Sequence, residues 1–230
     1  MNVLVLCAHA DDEVIAVGGI IRKLANAGAL IRLVMFSEGA EGYSRTEMKG
    51  QIVEQRAKET LRVCEILGIQ EYFNLHHLDW DLRVGNSTYK AVIHHVRQFR
   101  PDMIFVHHKA DYNDHRVVHD VGVEGWFHAG IPCAMEEGDV WRHAPLFLYE
   151  VLQPMSRPTH IVDITDTYAA KIEAMREYAT QHELVGGVFQ LMEGRSLERG
   201  YLIGAKYGEA LSLAAYRPRP VSNVASLADL

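Results

Sequence analysis

The sequence lacks the marks of several protein classes. It has three cysteines in 230 residues, Cys7, Cys64 and Cys133, and no Cys-x-x-Cys pair, so we expect reduced thiols and no disulfide framework. No apolar stretch approaches the ~18 residues of a membrane-spanning helix. No basic, cleavable segment precedes the first apolar run at residue 2. These absences predict a cytoplasmic protein with no integral membrane segment.

A basic surface and a phosphate-binding glycine motif are also absent. The net charge is −7 with histidine neutral, whereas a nucleic-acid-binding protein would carry a basic face. Gly-x-Gly-x-x-Gly does not follow the first apolar run, and the acidic residues found there would repel a pyrophosphate. We therefore expect a small-molecule substrate and no nucleic-acid partner. A homo-oligomer is compatible with the sequence.

Apolar runs typical of buried strands alternate with segments of helical periodicity, and 48% of the residues are hydrophobic. This pattern predicts an α/β fold: one Rossmann-like domain over residues 1–230, with a mostly parallel sheet, helices on both faces and an extended tail at 218–230. The predicted strands are Val3–Ala8, Leu30–Phe36, Tyr72–Leu75, Met103–Val106, Leu146–Leu152 and His160–Ile164. The predicted helices are Asp12–Ala27, Met48–Leu67, Tyr89–Phe99, Asp114–Phe127, Asp166–Gln181 and Gly208–Ala215. We expect Asp166 to cap the helix that it begins.

A first polar cluster follows the strand Val3–Ala8, where His9, Asp11, Asp12 and Glu13 stand within five residues. In open α/β sheets ligands bind at the carboxyl ends of strands. His9 and Asp12 are nitrogen and oxygen ligands of the kind that Zn²⁺ accepts. The alternative is that the two aspartates only cap the following helix, since carboxylates are favoured at a helix N-terminus.

A second cluster follows the strand Met103–Val106 and runs from His107 to His119. In a parallel sheet the turns after both strands emerge at the same edge, so the two clusters are expected to meet. His115 and His119 lie one turn apart on one helix face, and either could complete the ligand set. The two clusters together favour a metal site over two helix caps.

The clusters resemble the motifs of the PIG-L/LmbE-like de-N-acetylases, zinc-dependent enzymes that remove acetyl from N-acetylglucosamine-type sugars. Residues 8–13, Ala-His-Ala-Asp-Asp-Glu, match the family's Ala-His-Pro-Asp-Asp-Glu with one substitution, and residues 114–116 match its Asp-His-Arg. The resemblance names His115, not His119, as the third ligand. It extends from residue 2 to about 217 through weaker similarities at Arg56, Glu59, Lys171, Tyr178, Gln181, Arg199-Gly200 and Glu209-Ala210.

The resemblance also implies substrate contacts at the rim of the site. Arg56, on a helix, and Asp81, in the loop 77–84, match substrate-facing positions of the family, with Asp79 nearly as good a match as Asp81. Glu38 lies in a glycine-rich loop after the second strand, and we expect this loop at the rim.

One position departs from the family pattern. Three residues before the metal-binding histidine, family members place a histidine or asparagine that polarises the substrate carbonyl, and here the position holds Tyr112. Asn113 stands one place later, and His108 ends the strand. All three are therefore candidates for the oxyanion donor.

The sequence leads to a hypothesis of metal-assisted amide hydrolysis. His9, Asp12 and His115 would hold Zn²⁺, or another divalent ion such as Fe²⁺. Asp11 would act as general base and then acid, and Asp114 would orient a neighbouring imidazole or the turn. Two alternatives stay open: a metal-dependent amidohydrolase acting on a non-sugar N-acyl substrate, and a non-catalytic metal-binding descendant.

Overall fold

The computed structural model describes residues 1–142 and 144–214. The strands are β1 Asn2–Cys7, β2 Leu30–Ser37, β3 Glu71–His77, β4 Met103–His107, β5 Leu146–Tyr149, β6 His160–Asp163 and β7 Gly208–Leu213. The α-helices are α1 Asp12–Asn26, α2 Ile52–Leu67, α3 Asn86–Phe99, α4 Asn113–Ala129, α5 Tyr168–Glu177 and α6 Val188–Tyr201. Short 3₁₀ segments lie at Thr46–Met48, Met135–Glu137 and Ala179–Gln181.

The strands form one sheet in the order β3-β2-β1-β4-β5-β7-β6. The first five strands in this order are mutually parallel, and β7 pairs antiparallel with both β5 and β6. Chain order reverses between β1 and β4, which are hydrogen-bonded neighbours. This is the topological switch point at which open α/β sheets bind ligands, so the fold brings both polar clusters to one crevice.

Helices cover both faces of the sheet, as the alternation of the sequence predicts. Val3, Val5 and Cys7 of β1 pack into a core with α1, α2, α5 and α6, while Leu4 and Leu6 pack into a second core with α3 and α4. Since β1 is buried on both faces, it reads as a continuous apolar run. No helix of the described residues is long and apolar enough to cross a membrane.

The predictions for the C-terminal third need correction. The segment predicted as the helix Gly208–Ala215 is the strand β7, which is held between β5 and β6. Asp166 does not cap α5: its carboxylate accepts a hydrogen bond from Lys23 Nζ, and Thr167 is the N-cap residue. Residues 185–195 follow no clear sequence pattern, and they contribute to α6. The predicted tail 218–230 lies outside the described residues.

Helix α1, which carries the first cluster, is broken in its middle. Val17 has non-helical dihedral angles, φ −136° and ψ 19°, so backbone groups on both sides lose their helical partners. Glu209 of β7 accepts hydrogen bonds from the N–H groups of Gly19 (3.0 Å) and Ile20 (2.8 Å). Lys171 of α5 donates from Nζ to the Ile15 carbonyl (2.9 Å) and to Glu209 (2.6 Å). The buried ion pair of Lys171 and Glu209 thus provides hydrogen-bond partners for backbone groups on both sides of the break.

Candidate active site

A cavity of about 190 Å³ opens at the carboxyl ends of β1 and β4. Its polar lining comes from the two predicted clusters and the loops beside them, and its apolar lining comes from α1 and from segments that follow β5 and α5. The lining residues are His9, Asp11, Asp12, Ile15, Glu41, Gly42, Arg56, Asp79, Trp80, Tyr112, His115, Val151, Leu152, Gln181, Leu184 and Val185.

Asp12 lies at the centre of the polar cluster and is almost completely buried. Its Oδ2 accepts the backbone N–H of His9 (2.7 Å) and lies 3.3 Å from His107 Nε2, while its Oδ1 lies 3.1 Å from His115 Nε2. Burial raises the pKa of Asp12, but the charge of His115 and the contacts with His107 outweigh it and hold the pKa well below its usual range. Asp12 is therefore an ionised carboxylate facing an imidazole.

His9 is held through one ring nitrogen by Asp114. Nε2 of His9 lies 3.2 Å from Asp114 Oδ2 and 3.7 Å from Asp79 Oδ1, and Nδ1 lies 3.7 Å from Asp12 Oδ2. If Nε2–H donates to Asp114, the Nδ1 lone pair faces Asp12 and His115, which is the tautomer that a metal ligand needs.

His115 is buried, yet neither of its nitrogens makes a hydrogen bond. Nε2 and Nδ1 lie 3.1 Å and 3.4 Å from carboxylate oxygens of Asp12 and Asp111, but without hydrogen-bond alignment. Burial lowers the pKa of His115, and the charges of Asp12 and Asp111 outweigh it and raise the pKa to about 10. Buried nitrogens without a hydrogen bond are rare in folded proteins, and here Nε2 fits a cation that would stand between it and the Asp12 carboxylate.

Ligand atoms of His9, Asp12 and His115 lie within 4.8 Å of one another, and so do those of His9, Asp79 and Asp114. The two carboxylates of the second group already accept hydrogen bonds within the protein. Asp114 Oδ2 accepts the Trp80 N–H (3.1 Å), and Asp79 Oδ1 accepts the Ser37 hydroxyl. The first group, with the unsatisfied His115, is the one that fits a divalent cation.

Asp11 does not cap α1. It is the N-cap residue by position, but its side chain makes no capping hydrogen bond and its backbone is left-handed, with φ 113°. This conformation is uncommon for a residue with a side chain, and it turns the carboxylate into the cavity wall. Burial, and then the charge of Asp12, raise the pKa of Asp11 well above its usual value. Such a carboxyl group binds a proton more readily than an exposed aspartate does.

Tyr112 stands where the family that the sequence resembles has a histidine or asparagine, and its side chain lies in the site. Its Oη lies 3.0 Å from His9 Nδ1, and its ring centroid lies 4.1 Å from that of His115. Burial of the hydroxyl and the charges of Asp12 and Asp11 raise the pKa of Tyr112, so the phenol stays protonated. Of the three candidates for the oxyanion donor, Tyr112 is the one that lines the cavity.

The structure does not bring His108 or Asn113 to the cavity. His108 follows β4 and its Nδ1 accepts the N–H of Ala110, while Asn113 is exposed and its amide donates to Asp114 Oδ1. His119 is also absent from the lining, because its Nδ1 lies 2.8 Å from the His107 carbonyl oxygen. From this part of the chain, Tyr112 and His115 line the cavity, and Asp114 contacts His9.

Among the predicted substrate contacts, Arg56 lines the cavity and Asp81 does not. Arg56 is buried and donates to the carbonyls of Gly39 (3.2 Å) and Ala10 (3.0 Å), which ties the glycine-rich loop to the first motif. The Asp81 side chain is 71% exposed and pairs with Arg83. Asp79 takes the inward position that Asp81 was expected to hold.

Glu38 lines a separate cavity of about 180 Å³, and Arg56 lines both this cavity and the first one. Its carboxylate lies 3.7 Å from His76 Nδ1. The glycine-rich loop does reach the rim of the first cavity, but through Glu41 and Gly42.

Two residues around the ligands escaped the sequence analysis. Asp111 accepts the backbone N–H of Leu152 (3.1 Å) and faces His115 Nδ1, and the i,i+4 spacing of Asp111 and His115 is the signal that could have found it. His107 is buried behind Asp12, accepts the Ala8 N–H and has its pKa lowered to about 4 by burial. In the sequence, nothing distinguishes His107 from the adjacent His108.

This geometry agrees with comparisons to known proteins. The model of the family PIG-L, GlcNAc-PI de-N-acetylase, matches residues 4–126, which is more than half of the chain. The chain belongs to this family. The matched segment includes all but the first two residues of β1, both polar clusters, and His9, His107 and His115, the polar partners of Asp12 described above.

Relatives of this chain are named for different activities. It is 26% identical to the diacetylchitobiose deacetylase of Thermococcus kodakarensis, over 91% of this chain and 82% of the relative. It is 28% identical to the 4-oxalmesaconate hydratase of Pseudomonas putida, over 80% of this chain and 75% of the relative. The structure of N,N'-diacetylchitobiose deacetylase from Pyrococcus horikoshii superposes with a TM-score of 0.86 at 24% identity, covering 96% of this chain and 87% of that one, and shows the same fold.

Proposed function

We propose that this PIG-L family member is a metal-dependent hydrolase that removes the N-acetyl group from an N-acetylglucosamine-type amino sugar or its conjugate. The observation that carries the proposal is the buried His115, which has no hydrogen bond at either nitrogen and whose ligand atom groups with those of Asp12 and His9 at the wall of a cavity. The family match and the deacetylase relatives support the choice of substrate.

His9, Asp12 and His115 would hold the divalent ion, for which two imidazoles and one carboxylate are a typical Zn²⁺ set, with Fe²⁺ as an alternative. When bound, the ion supplies Lewis-acid polarisation of the acetyl carbonyl and a water nucleophile at neutral pH. Asp114 keeps the His9 ring in the required tautomer, and Asp111 faces the far nitrogen of His115.

Asp11 would accept the proton of the attacking water and return it to the leaving amine. Its carboxyl group lines the cavity next to Asp12, with no capping duty to satisfy. Tyr112 would donate its phenolic hydrogen to the oxyanion, because its hydroxyl lies beside the ligand His9 and stays protonated. Amide cleavage then needs no covalent intermediate with the protein.

The cavity lining offers hydrogen-bond acceptors that suit a sugar. Asp11, Asp12, Glu41 and Asp79 line it, and the guanidinium of Arg56 is already bonded to two carbonyls. Sugar hydroxyls can donate to these carboxylates.

The experiment measures acetate release from N-acetylglucosamine, N,N'-diacetylchitobiose and simple N-acyl amines by Zn²⁺-loaded protein and by an Asp11→Asn variant. We expect activity on the sugars and a drop in kcat by about 10²–10⁴ in Asp11→Asn at unchanged metal content. Asp139→Asn, which changes an exposed aspartate outside the cavity, is the matched control and should keep wild-type kcat. Preference for the simple amines would identify a non-sugar amidohydrolase, and metal binding without turnover would identify a non-catalytic protein.

A further inference from the structure

One aromatic side chain at the cavity mouth is largely exposed. Trp80 lines the cavity, yet 67% of its surface is exposed. Its indole makes no hydrogen bond and no ring contact within residues 1–142 and 144–214. An exposed tryptophan beside a polar active site is a feature that needs an explanation, since its large apolar face is left in water.

The backbone holds this indole in place at a conformational cost. Trp80 has φ 63°, in the left-handed region that bulky residues avoid. Two hydrogen bonds fix the residue: its N–H donates to Asp114 Oδ2 (3.1 Å) and its carbonyl accepts from Arg83 Nη1 (2.8 Å). Arg83 is in turn paired with Asp81 (2.9 Å), which gives the outward-facing Asp81 a function. Strain of this kind persists at sites of function when surrounding contacts enforce it.

The size of the cavity indicates what lies against the indole. About 190 Å³ is below the ~300–1,000 Å³ of pockets that enclose a drug-sized ligand. One acetamido sugar ring therefore fills the space next to His9 and Asp12, and any further ring extends past the mouth. Leu152 and Leu184, both partly exposed, lie with Trp80 in the cavity lining and extend its apolar rim.

We propose that Trp80 is the platform of a second sugar subsite, on which the C–H face of the pyranose linked to the reacting residue stacks. The inference rests on the proposed function and deepens it, because it makes a glycan of at least two rings the preferred substrate. Burial of the indole face against the second ring removes apolar surface from water. Asp114 links the two subsites, since the oxygen that accepts the Trp80 N–H also contacts His9.

The test compares kcat/KM for N,N'-diacetylchitobiose with kcat/KM for N-acetylglucosamine. In Trp80→Gly we expect the ratio of the two to fall by about tenfold, the scale of one aromatic contact, through KM for the disaccharide. Trp80→Tyr should restore most of the ratio. Glycine relieves the left-handed strain, so Trp80→Gly should also unfold at a higher urea concentration than the wild type. Leu78→Ala, an exposed apolar residue in the same loop but outside the cavity, is the control.

The outcomes separate this inference from the proposed function. If the wild type deacetylates neither sugar, the proposed function fails. If it is active and Trp80→Gly keeps the wild-type ratio, the second subsite is wrong while the function stands. If Trp80→Gly instead changes the sedimentation coefficient of the protein, the indole faces a second copy of the chain, which also overturns the sugar platform.

Discussion

Two buried polar clusters, one at the start of helix α1 and one at the break in its middle, differ in how their atoms are satisfied. At the break near Val17, each polar atom of Lys171 and Glu209 that is buried has a partner at hydrogen-bond distance. At the start of the helix, His115 is equally buried but has no hydrogen bond at either nitrogen. The cluster at the break is complete within the protein, whereas the cluster at the start of the helix has room for a ligand.

The comparison teaches that burial and charge alone do not identify a functional site. Both clusters contain charged groups that are almost completely buried, and both bridge α1 to distant parts of the chain. What distinguishes them is whether buried polar atoms still lack hydrogen-bond partners. A satisfied buried ion pair maintains the fold, while unsatisfied buried atoms that converge on one point indicate a ligand.

The largest expected effect is on the satisfied cluster. Glu209→Gln leaves the Lys171 ammonium buried without a counter-charge, so the free energy of unfolding should fall by about 3–5 kcal/mol in urea denaturation. The double variant Lys171→Met/Glu209→Gln removes the unpaired charge and keeps an acceptor for one amide of the broken helix, so it should recover more than half of the loss. A single variant as stable as the wild type would show that the break needs no ion pair.

The next effect concerns the hydroxyl that faces the unsatisfied cluster. Tyr112→Phe should lower kcat by about 10²–10³, as loss of one oxyanion donor does, with no change in metal content. Asn113→Ala and His108→Ala, which alter side chains outside the cavity, should keep the wild-type kcat. If all three variants keep it, the oxyanion is stabilised by the metal alone and Tyr112 has no such role.

The cluster at the start of α1 was predictable from the sequence. Its ligands follow two strands, and local runs of apolar residues identify both strands. His9 and Asp12 follow β1 directly, and His115 lies in the first turn after β4 and its loop. The apolar runs predict a parallel sheet, and a parallel sheet brings these ends together. The family resemblance then distinguishes His115 from His119, which the spacing alone leaves open.

The satisfied cluster depends on long-range pairing that local patterns do not encode. Glu209 lies in β7, whose sequence Gly-Glu-Ala-Leu-Ser-Leu is rich in helix-forming residues. Pairing with β5 and β6 overrides this preference. In the same way, Asp79 and Asp81 are equivalent in sequence, and the left-handed backbone of the intervening Trp80 decides which one faces the cavity.

Metal binding should convert the unsatisfied cluster into a satisfied one. Zn²⁺ at about 100 times its dissociation constant should raise the free energy of unfolding by about 2.7 kcal/mol. In His115→Ala this stabilisation should disappear, because the variant lacks one of the three proposed ligands. Calorimetric Tm values with Zn²⁺ and with a chelator measure both effects. An equal Zn²⁺ shift in the variant would place the metal elsewhere.

A second buried histidine shows that one unsatisfied nitrogen is not enough for a ligand site. His95 Nδ1 has no hydrogen bond, but its ring packs against Phe73 and its neighbour is the cation Arg32. Burial, and then Arg32, lower the pKa of His95 to about 4. The folded state therefore favours the neutral ring, so its contribution to stability is full above the unfolded pKa of about 6.5 and is lost as the pH falls toward 4.

This contribution should change by at most about 1.4 kcal/mol per pH unit, the value for one proton. Urea denaturation between pH 4 and 6.5 should show a shallower pH dependence in His95→Phe than in the wild type. The NMR titration of the His95 ring should have its midpoint near pH 4, and Zn²⁺ should leave its chemical shift unchanged. A midpoint near 6.5 would mean that the ring is solvated.

The smallest effect belongs to the exposed pair Lys23–Asp166, which joins the end of α1 to the start of α5 on the surface. If Asp166 were the cap of α5, Asp166→Ala would destabilise the protein whatever residue stands at position 23. Because its carboxylate instead accepts from Lys23, we expect a loss smaller than those predicted above, and it should shrink with added salt. A double-mutant cycle with Lys23→Met distinguishes the two: a coupling energy equal to the Asp166→Ala loss supports the pair, and a coupling energy of zero restores the cap.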